Sequence, residues 1–90
     1  MEESIDSKLV VYGYTQFYLV SPKVSVYVDG DLAGEVGKKG FLEIPITQTS
    51  EVAFICGSRI EGLTAEYGKT TKVELAWNRT TGQLILNTLE

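Results

Sequence analysis

Histidine is absent from all 90 residues. The side chain that most often serves as a general base at neutral pH is therefore missing, and Ser–His or Cys–His nucleophilic pairs cannot be assembled within the chain. Cysteine is nearly absent as well: Cys56 stands alone, which excludes an intrachain disulfide and a cysteine zinc cluster. No GxxxxGK[ST] loop occurs, nor a GxGxxG opening a helix, so no phosphate cradle of those types is encoded. No apolar run reaches the roughly 18–20 residues that span a bilayer. Alanine is scarce, and no stretch repeats apolar residues with a helical period.

An excess of charge is also missing from the body of the chain. The formal net charge is −4, but Glu2, Glu3, Asp6 and Glu90 are four of the 12 acidic residues, which leaves eight against eight Lys plus Arg. A near-neutral body has no electrostatic reason to hold a phosphate backbone or an anionic membrane. The expectation is no nucleic-acid partner and no membrane insertion. Met1-Glu2-Glu3-Ser4 lacks the basic-then-apolar start of a signal peptide, and a disulfide-free chain suits a reducing compartment, which favours the cytoplasm. Leu89-Glu90 reads as the scar of a purification tag, which would make the chain a domain cut from a longer protein.

What is present belongs to sheets. Val, Thr, Ile, Tyr, Phe and Trp supply 33 of the 90 residues, and these types pack well on a pleated surface. Residues 1–7 read as a frayed tail and 8–88 as one domain. Strand signals run through 8–14, with Gly13 marking a bulge or a close backbone approach, and 16–20 continue it or form a second strand. In 23–29, Val24, Val26 and Val28 share one face, opposite Ser25 and Tyr27. Asp29-Gly30 turns the chain into 32–36. The segment 41–46 places Leu42, Ile44 and Ile46 against Glu43 and Pro45, and a proline there predicts an edge strand. Residues 51–56 are apolar on both faces, which predicts the most buried strand. Residues 59–67 read as a strand interrupted at Gly62; 70–77 and 83–88 follow as strands, with Asn78 to Gly82 between them. Seven to nine short strands with turn signals every 8–12 residues predict a single antiparallel β-sandwich of immunoglobulin-like or Greek-key type.

Several groups merit weighing as sites. Asp29 and Asp31 offer two hard oxygen ligands, but a calcium site needs six or more, so a turn is preferred. Glu61 with Glu66, or Glu43 with Glu51, could in principle form an acid–base pair; solvated strand surface is the simpler reading. Cys56 lies in an apolar run and reads as an inert core thiol. Asn78-Arg79-Thr80 matches a glycosylation acceptor and equally makes a turn; Trp77 reads as core. Tyr12, Tyr14, Phe17, Tyr18 and Tyr27 fall within 16 positions. Strict alternation puts Tyr12 and Tyr14 on one face, and Tyr27 away from the valine face. Tyr12, Tyr14, Tyr18 and Tyr27 are therefore the candidate partner-binding residues. No catalytic, cofactor-binding or metal residue is identified.

Val26-Tyr27-Val28-Asp29-Gly30, followed by Gly34, resembles the opening of small bacterial β-sandwich modules of the PEGA type, over roughly residues 24 to 46. The naming Pro-Glu-Gly-Ala motif is not in the chain. The resemblance implies an accessory or cell-envelope module without catalysis and carries over no functional residue. The function expected is a noncatalytic interaction module for a protein partner or a neighbouring domain of the parent chain. The alternative is a carbohydrate-binding module with an exposed tyrosine face.

Overall fold

The computed structural model describes residues 7–16 and 22–89. Among them are eight strands and no helix: β1 (Lys8–Tyr12), β2 (Val24–Val28), β3 (Asp31–Val36), β4 (Phe41–Pro45), β5 (Ser50–Cys56), β6 (Arg59–Ala65), β7 (Thr70–Trp77) and β8 (Leu84–Leu89). They form two four-stranded sheets, one ordered β4-β1-β7-β8 and the other β3-β2-β5-β6. The fold is the expected β-sandwich. Five of the six pairings are antiparallel; β1 and β7 run parallel, with Lys8 opposite Thr70 and Val11 opposite Val73.

Period-two alternation drives the two layers together. The first sheet turns Leu9, Val11, Val73, Leu75, Trp77 and Leu84 inward, and the second turns Val24, Val26, Val36, Val52, Phe54 and Ala65 to meet them. Val28, Leu42, Ile44, Cys56, Leu63 and Leu86 pack around this centre as partly buried residues. Burying a Val, Leu or Phe side chain contributes about 1.5–3 kcal/mol each, which is how a chain this short holds a core without a disulfide. β4, with Pro45, lies at the edge of the first sheet, where a missing N–H breaks no ladder.

Four details depart from the strand-by-strand reading. β1 stops at Tyr12, because at Gly13 the chain runs into the β3–β4 connection. Gly13 N–H donates to the Gly40 carbonyl at 2.9 Å, and Lys39 N–H donates to the Tyr14 carbonyl at 2.8 Å. Ser7, assigned to the tail, is tied down: its carbonyl accepts from Ile46 N–H and its hydroxyl oxygen accepts from Gly68 N–H, both at 2.9 Å. Leu89, read as part of a tag scar, pairs with Lys72 inside β8. β6 passes through Gly62 without interruption. Of the second strand expected at 16–20, residues 17–20 lie outside the described residues.

Gln16, adjoining that stretch, completes an edge in an unexpected way. Its amide Nε2 donates to the Trp77 carbonyl at 2.8 Å, and its Oε1 accepts from Trp77 N–H at 2.7 Å. The side chain thus substitutes for a strand partner at the end of β7.

Candidate functional site

The four tyrosines do not form one surface. Tyr14 is a core residue, which corrects its assignment as a partner-binding side chain. It is fully buried, its hydroxyl donates to the Pro22 carbonyl at 2.6 Å, and its ring meets Trp77 edge-on at 6.0 Å and 73°. Alternation fails here because the chain leaves the sheet at Gly13 and Tyr14 turns inward. Tyr12 stays on the outer face of the first sheet, tilted against Phe41 at 5.5 Å and 57°. Tyr27 is on the outer face of the second sheet. Tyr18 lies outside the described residues.

The two outer faces differ in chemistry. On the first sheet, Lys8, Glu43, Lys72 and Glu74 point outward, and Lys8 Nζ pairs with Glu43 at 2.6 Å. Even Val10, which points outward in the middle of this sheet, is only 4% exposed. Its register neighbours are Glu43 and Lys72, long side chains whose stems cover apolar surface while their charges stay in water. The middle of this face is lined by charge, while Phe41 at 59% and Leu89 at 39% stay exposed on its two edge strands.

The outer face of the second sheet has no charge at its centre. One row across its four strands reads Leu32, Tyr27, Ala53, Gly62; the next reads Glu35, Ser25, Ile55, Ile60. Charge appears only toward the corners, at Glu35 and at Glu51, whose carboxylate accepts from the Thr64 hydroxyl at 3.1 Å. Leu32 is 58% and Ile60 63% exposed; Tyr27, Ala53 and Ile55 are half-buried by their neighbours alone. A β-bulge between Val26 and Tyr27 sets Leu32, rather than Ala33, beside the Tyr27 ring. The expectation that β5 would be buried on both faces meets its correction here. Val52 and Phe54 are covered by the first sheet, while Ala53 and Ile55 have no layer over them among the described residues. The apolar outer side of β5 was the signal in the sequence, and it belongs to an open face.

The carboxylates are kept apart or employed structurally. Glu43 and Glu51 lie on different sheets; Glu61 is an exposed residue of β6, and Glu66 follows that strand beside Lys69 at 3.8 Å. Among the described residues no group of three acids, cysteines or histidines is placed to hold a metal ion. Cys56 ends β5 as a partly buried thiol against the core. Asn78 shapes the β7–β8 turn: its Oδ1 accepts from the N–H of Thr80 at 2.9 Å and of Thr81 at 3.1 Å.

Asp29 is a brace rather than a ligand. With Gly30 it makes the two-residue turn of the β2–β3 hairpin, both at positive φ (50° and 89°), the geometry of a type I′ turn. Its Oδ1 accepts from Glu51 N–H at 3.0 Å and its Oδ2 from Gln48 Nε2 at 3.4 Å, while its own N–H donates to the Glu51 carbonyl at 2.8 Å. The Glu51 amide, followed by the Ser50 and Gln48 side chains, holds the carboxyl below its usual 3.8, against an opposing effect of desolvation. A carboxyl whose pKa is lower folded than unfolded stabilises the fold above the unfolded value and loses that contribution as the pH falls through the folded one. The prediction is that Asp29→Asn is less stable than the parent at pH 7, and that the two urea midpoints converge below about pH 4. A gap that stays constant from pH 7 to pH 2 would show that the brace does not depend on charge.

Comparison of the chain with protein-family models, with curated proteins and with solved structures returns no match. No helix among the described residues is long and apolar enough to cross a membrane.

Proposed function

We propose that this chain is a noncatalytic interaction module, and that it docks protein through the outer face of the β3-β2-β5-β6 sheet. One observation carries the reading: of two outer faces built by the same alternation, one carries charged side chains across its middle and the other has none between its corners among the described residues. A charged face costs little to leave in water. An uncharged one centred on Tyr27, Ala53 and Ile55 is the kind of surface that partners bury, with an aromatic anchor near its middle.

The size of the face favours one kind of partner. Four strands and two apolar rows span roughly 300 Å² in projection, from strand spacing and rise. A stable complex between free proteins buries about 800 Å² on each partner. The patch falls short of that, which supports a neighbouring domain of the parent chain, held near by its linker and needing little intrinsic affinity. An accessory module of the PEGA type, which the β2–β3 hairpin sequence resembles, is consistent with this role.

The carbohydrate alternative loses its main support. It requires coplanar exposed tyrosines, but Tyr12 and Tyr27 face opposite directions, Tyr14 is buried, and the Tyr12–Phe41 pair is tilted by 57°.

Tyr27→Ala and Leu32→Lys test the face. Both change side chains that are half or more exposed or lie over no core cavity, so the fold should hold within about 1 kcal/mol. Binding to the adjoining domain of the parent protein, measured by calorimetry with that domain supplied in trans, is expected to weaken at least tenfold for each. Unchanged affinity in both variants would sink the reading, as would a loss equalled by Lys72→Ala on the opposite face.

A further inference from the structure

We infer that the end of the sandwich where the β6–β7 turn meets the last residues of β8 is a binding site for a small phosphate-type oxyanion, held by the hydroxyls of Thr71 and Thr88 and the ammonium groups of Lys69 and Lys72. The site lies at the rim of the first sheet and does not rest on the docking reading of the second sheet's outer face.

A cavity of about 230 Å³ opens there, with Lys69, Thr71, Lys72, Thr88 and Leu89 in its lining. Strand pairing explains how these residues meet. Among the described residues the β7–β8 ladder ends at the pair Lys72–Leu89, so Thr71 lies one position past it. Thr71 has the parity of Val73, a core residue, and Thr88 is the register partner of Val73. Both threonines therefore project on the inner side of the sheet, as diagonal neighbours at its open end. Such neighbours stand about 7–8 Å apart, a gap that one tetrahedral oxyanion bridges with two of its oxygens. The turn before Thr71 is fixed in place. Gly68 N–H donates to Ser7 Oγ at 2.9 Å, and the Lys69 carbonyl accepts from Lys8 N–H at 3.3 Å.

Thr71 is the residue that asks for a ligand. It is 9% exposed and its hydroxyl oxygen is buried, yet that oxygen has no hydrogen-bond partner. Folded proteins pair nearly all such groups with protein, water or a bound ion, because an unpaired one has lost its hydration for nothing. Rotation about χ1 exchanges the methyl and the hydroxyl, and turns the oxygen toward the cavity that Thr71 lines.

Charge decides the class of ligand. The described residues of the lining include two lysines and no carboxylate. The cavity at the β2–β3 turn has Asp29 and Asp31 in its wall, and the one beside Tyr12 sets Lys39 with Glu74, so neither selects an anion. The flexible four-carbon stems of Lys69 and Lys72 let both ammonium groups reach the mouth. Glu66 is the acid recorded beside them, 3.8 Å from Lys69 Nζ, with both side chains 60% or more exposed. A pair that long and that wet is weak. A phosphate offers more charge and more oxygens, and its hydrogen bonds from hydroxyl and ammonium are charge-assisted. A carboxylate has one charge and two oxygens, so it satisfies fewer of the four groups. The cavity holds several waters' worth of space at about 30 Å³ each, which leaves room for a small organic body on the phosphate. Two lysines hold one phosphate; they make no track for a phosphate backbone.

Titration with inorganic phosphate at constant ionic strength, followed by amide NMR signals, tests the site. The signals of Lys69 to Lys72 and of Thr88 are expected to move with a Kd of about 1 mM or tighter, while those of Tyr27 and Ile55 stay in place. Acetate at the same ionic strength is expected to bind at least about fivefold more weakly. Thr71→Val keeps the shape of the side chain and deletes the unpaired oxygen. Without phosphate this variant is expected to melt at or above the parent's temperature, and its phosphate affinity to fall at least about fivefold. The Lys69→Ser, Lys72→Ser double variant is expected to show no localised shifts. Absence of shifts at about 20 mM phosphate overturns the inference. So does acetate bound as tightly as phosphate, or full affinity kept by Thr71→Val or by the double lysine variant. A Thr71→Val protein that melts below the parent without phosphate also overturns it, since the hydroxyl would then serve the fold and not a ligand.

Discussion

Gly13→Ala is expected to abolish the folded state at 37 °C or lower the melting temperature by about 15 °C or more. A Cβ at this position would stand 2.0 Å from the Gly37 carbonyl oxygen, 2.7 Å from Gly40 N and 3.1 Å from a Val36 methyl. Two of the three obstacles are backbone, so no side-chain rotation relieves the clash. The segment cannot simply swing away either, because Gly13 N–H and the Tyr14 carbonyl are both bonded to the β3–β4 connection. Retreat of one chain from the other breaks these bonds and unseats Tyr14 behind them. A cost of about 3 kcal/mol or more follows from overpacking against rigid main chain, and in a domain of this size each kcal/mol moves the melting point by about 4–8 °C. Gly57→Ala is the control. Gly57 sits at φ 62° with open space around it, so only left-handed strain of about 1 kcal/mol applies. Equal melting points for the two variants would show that Gly13 makes no close approach. Differential scanning calorimetry at neutral pH reads the comparison directly.

How far the sequence could be read depends on the range of each interaction. Alternation is local, so Val24, Val26 and Val28, the inward set of β7, and the Asp29-Gly30 turn were legible from a few neighbouring residues. Pro45 placed β4 at an edge for the same reason: a missing N–H is a property of one residue. Pairing is not local. Nothing within residues 8–12 shows that β1 lies parallel to β7 some sixty positions away, because parallel pairing leaves no turn between the partners. Gln16 illustrates the limit. A lone polar side chain near the end of a strand gives no sign that it will mimic a backbone and bond both sides of Trp77. Of the candidate site, the sequence showed that β5 is apolar on both faces, but that pattern is identical for a strand covered twice and for one whose second cover is missing. Only the strand order distinguishes the two. Tyr12 and Tyr14 failed for a related reason: period-two reasoning holds while the chain stays in the sheet, and at Gly13 it does not.

The Tyr14 series carries the second large effect, because it divides a core tyrosine from a surface one. Tyr14→Ala removes the largest fully buried side chain of the described residues, leaves a cavity beside Trp77, and should cost about 3–5 kcal/mol. Tyr14→Phe keeps the ring and its edge-on contact with Trp77 but deletes the donor to the Pro22 carbonyl; losing one partly buried hydrogen bond costs about 0.5–1.5 kcal/mol. The expected order in urea midpoint is therefore parent, then Phe closely below, then Ala far below, with unchanged slopes. Tyr27→Ala should stay near the parent in the same titration, since its ring lies on a sheet face that no other layer covers among the described residues. The two tyrosines then trade places in a binding assay, where Tyr14→Phe behaves as the parent and Tyr27→Ala does not. A Tyr14→Ala protein with the parent's midpoint would place that ring outside the core. The bend at Gly13 would then be wrong, and Tyr12 and Tyr14 would return to a shared face, as plain alternation has it.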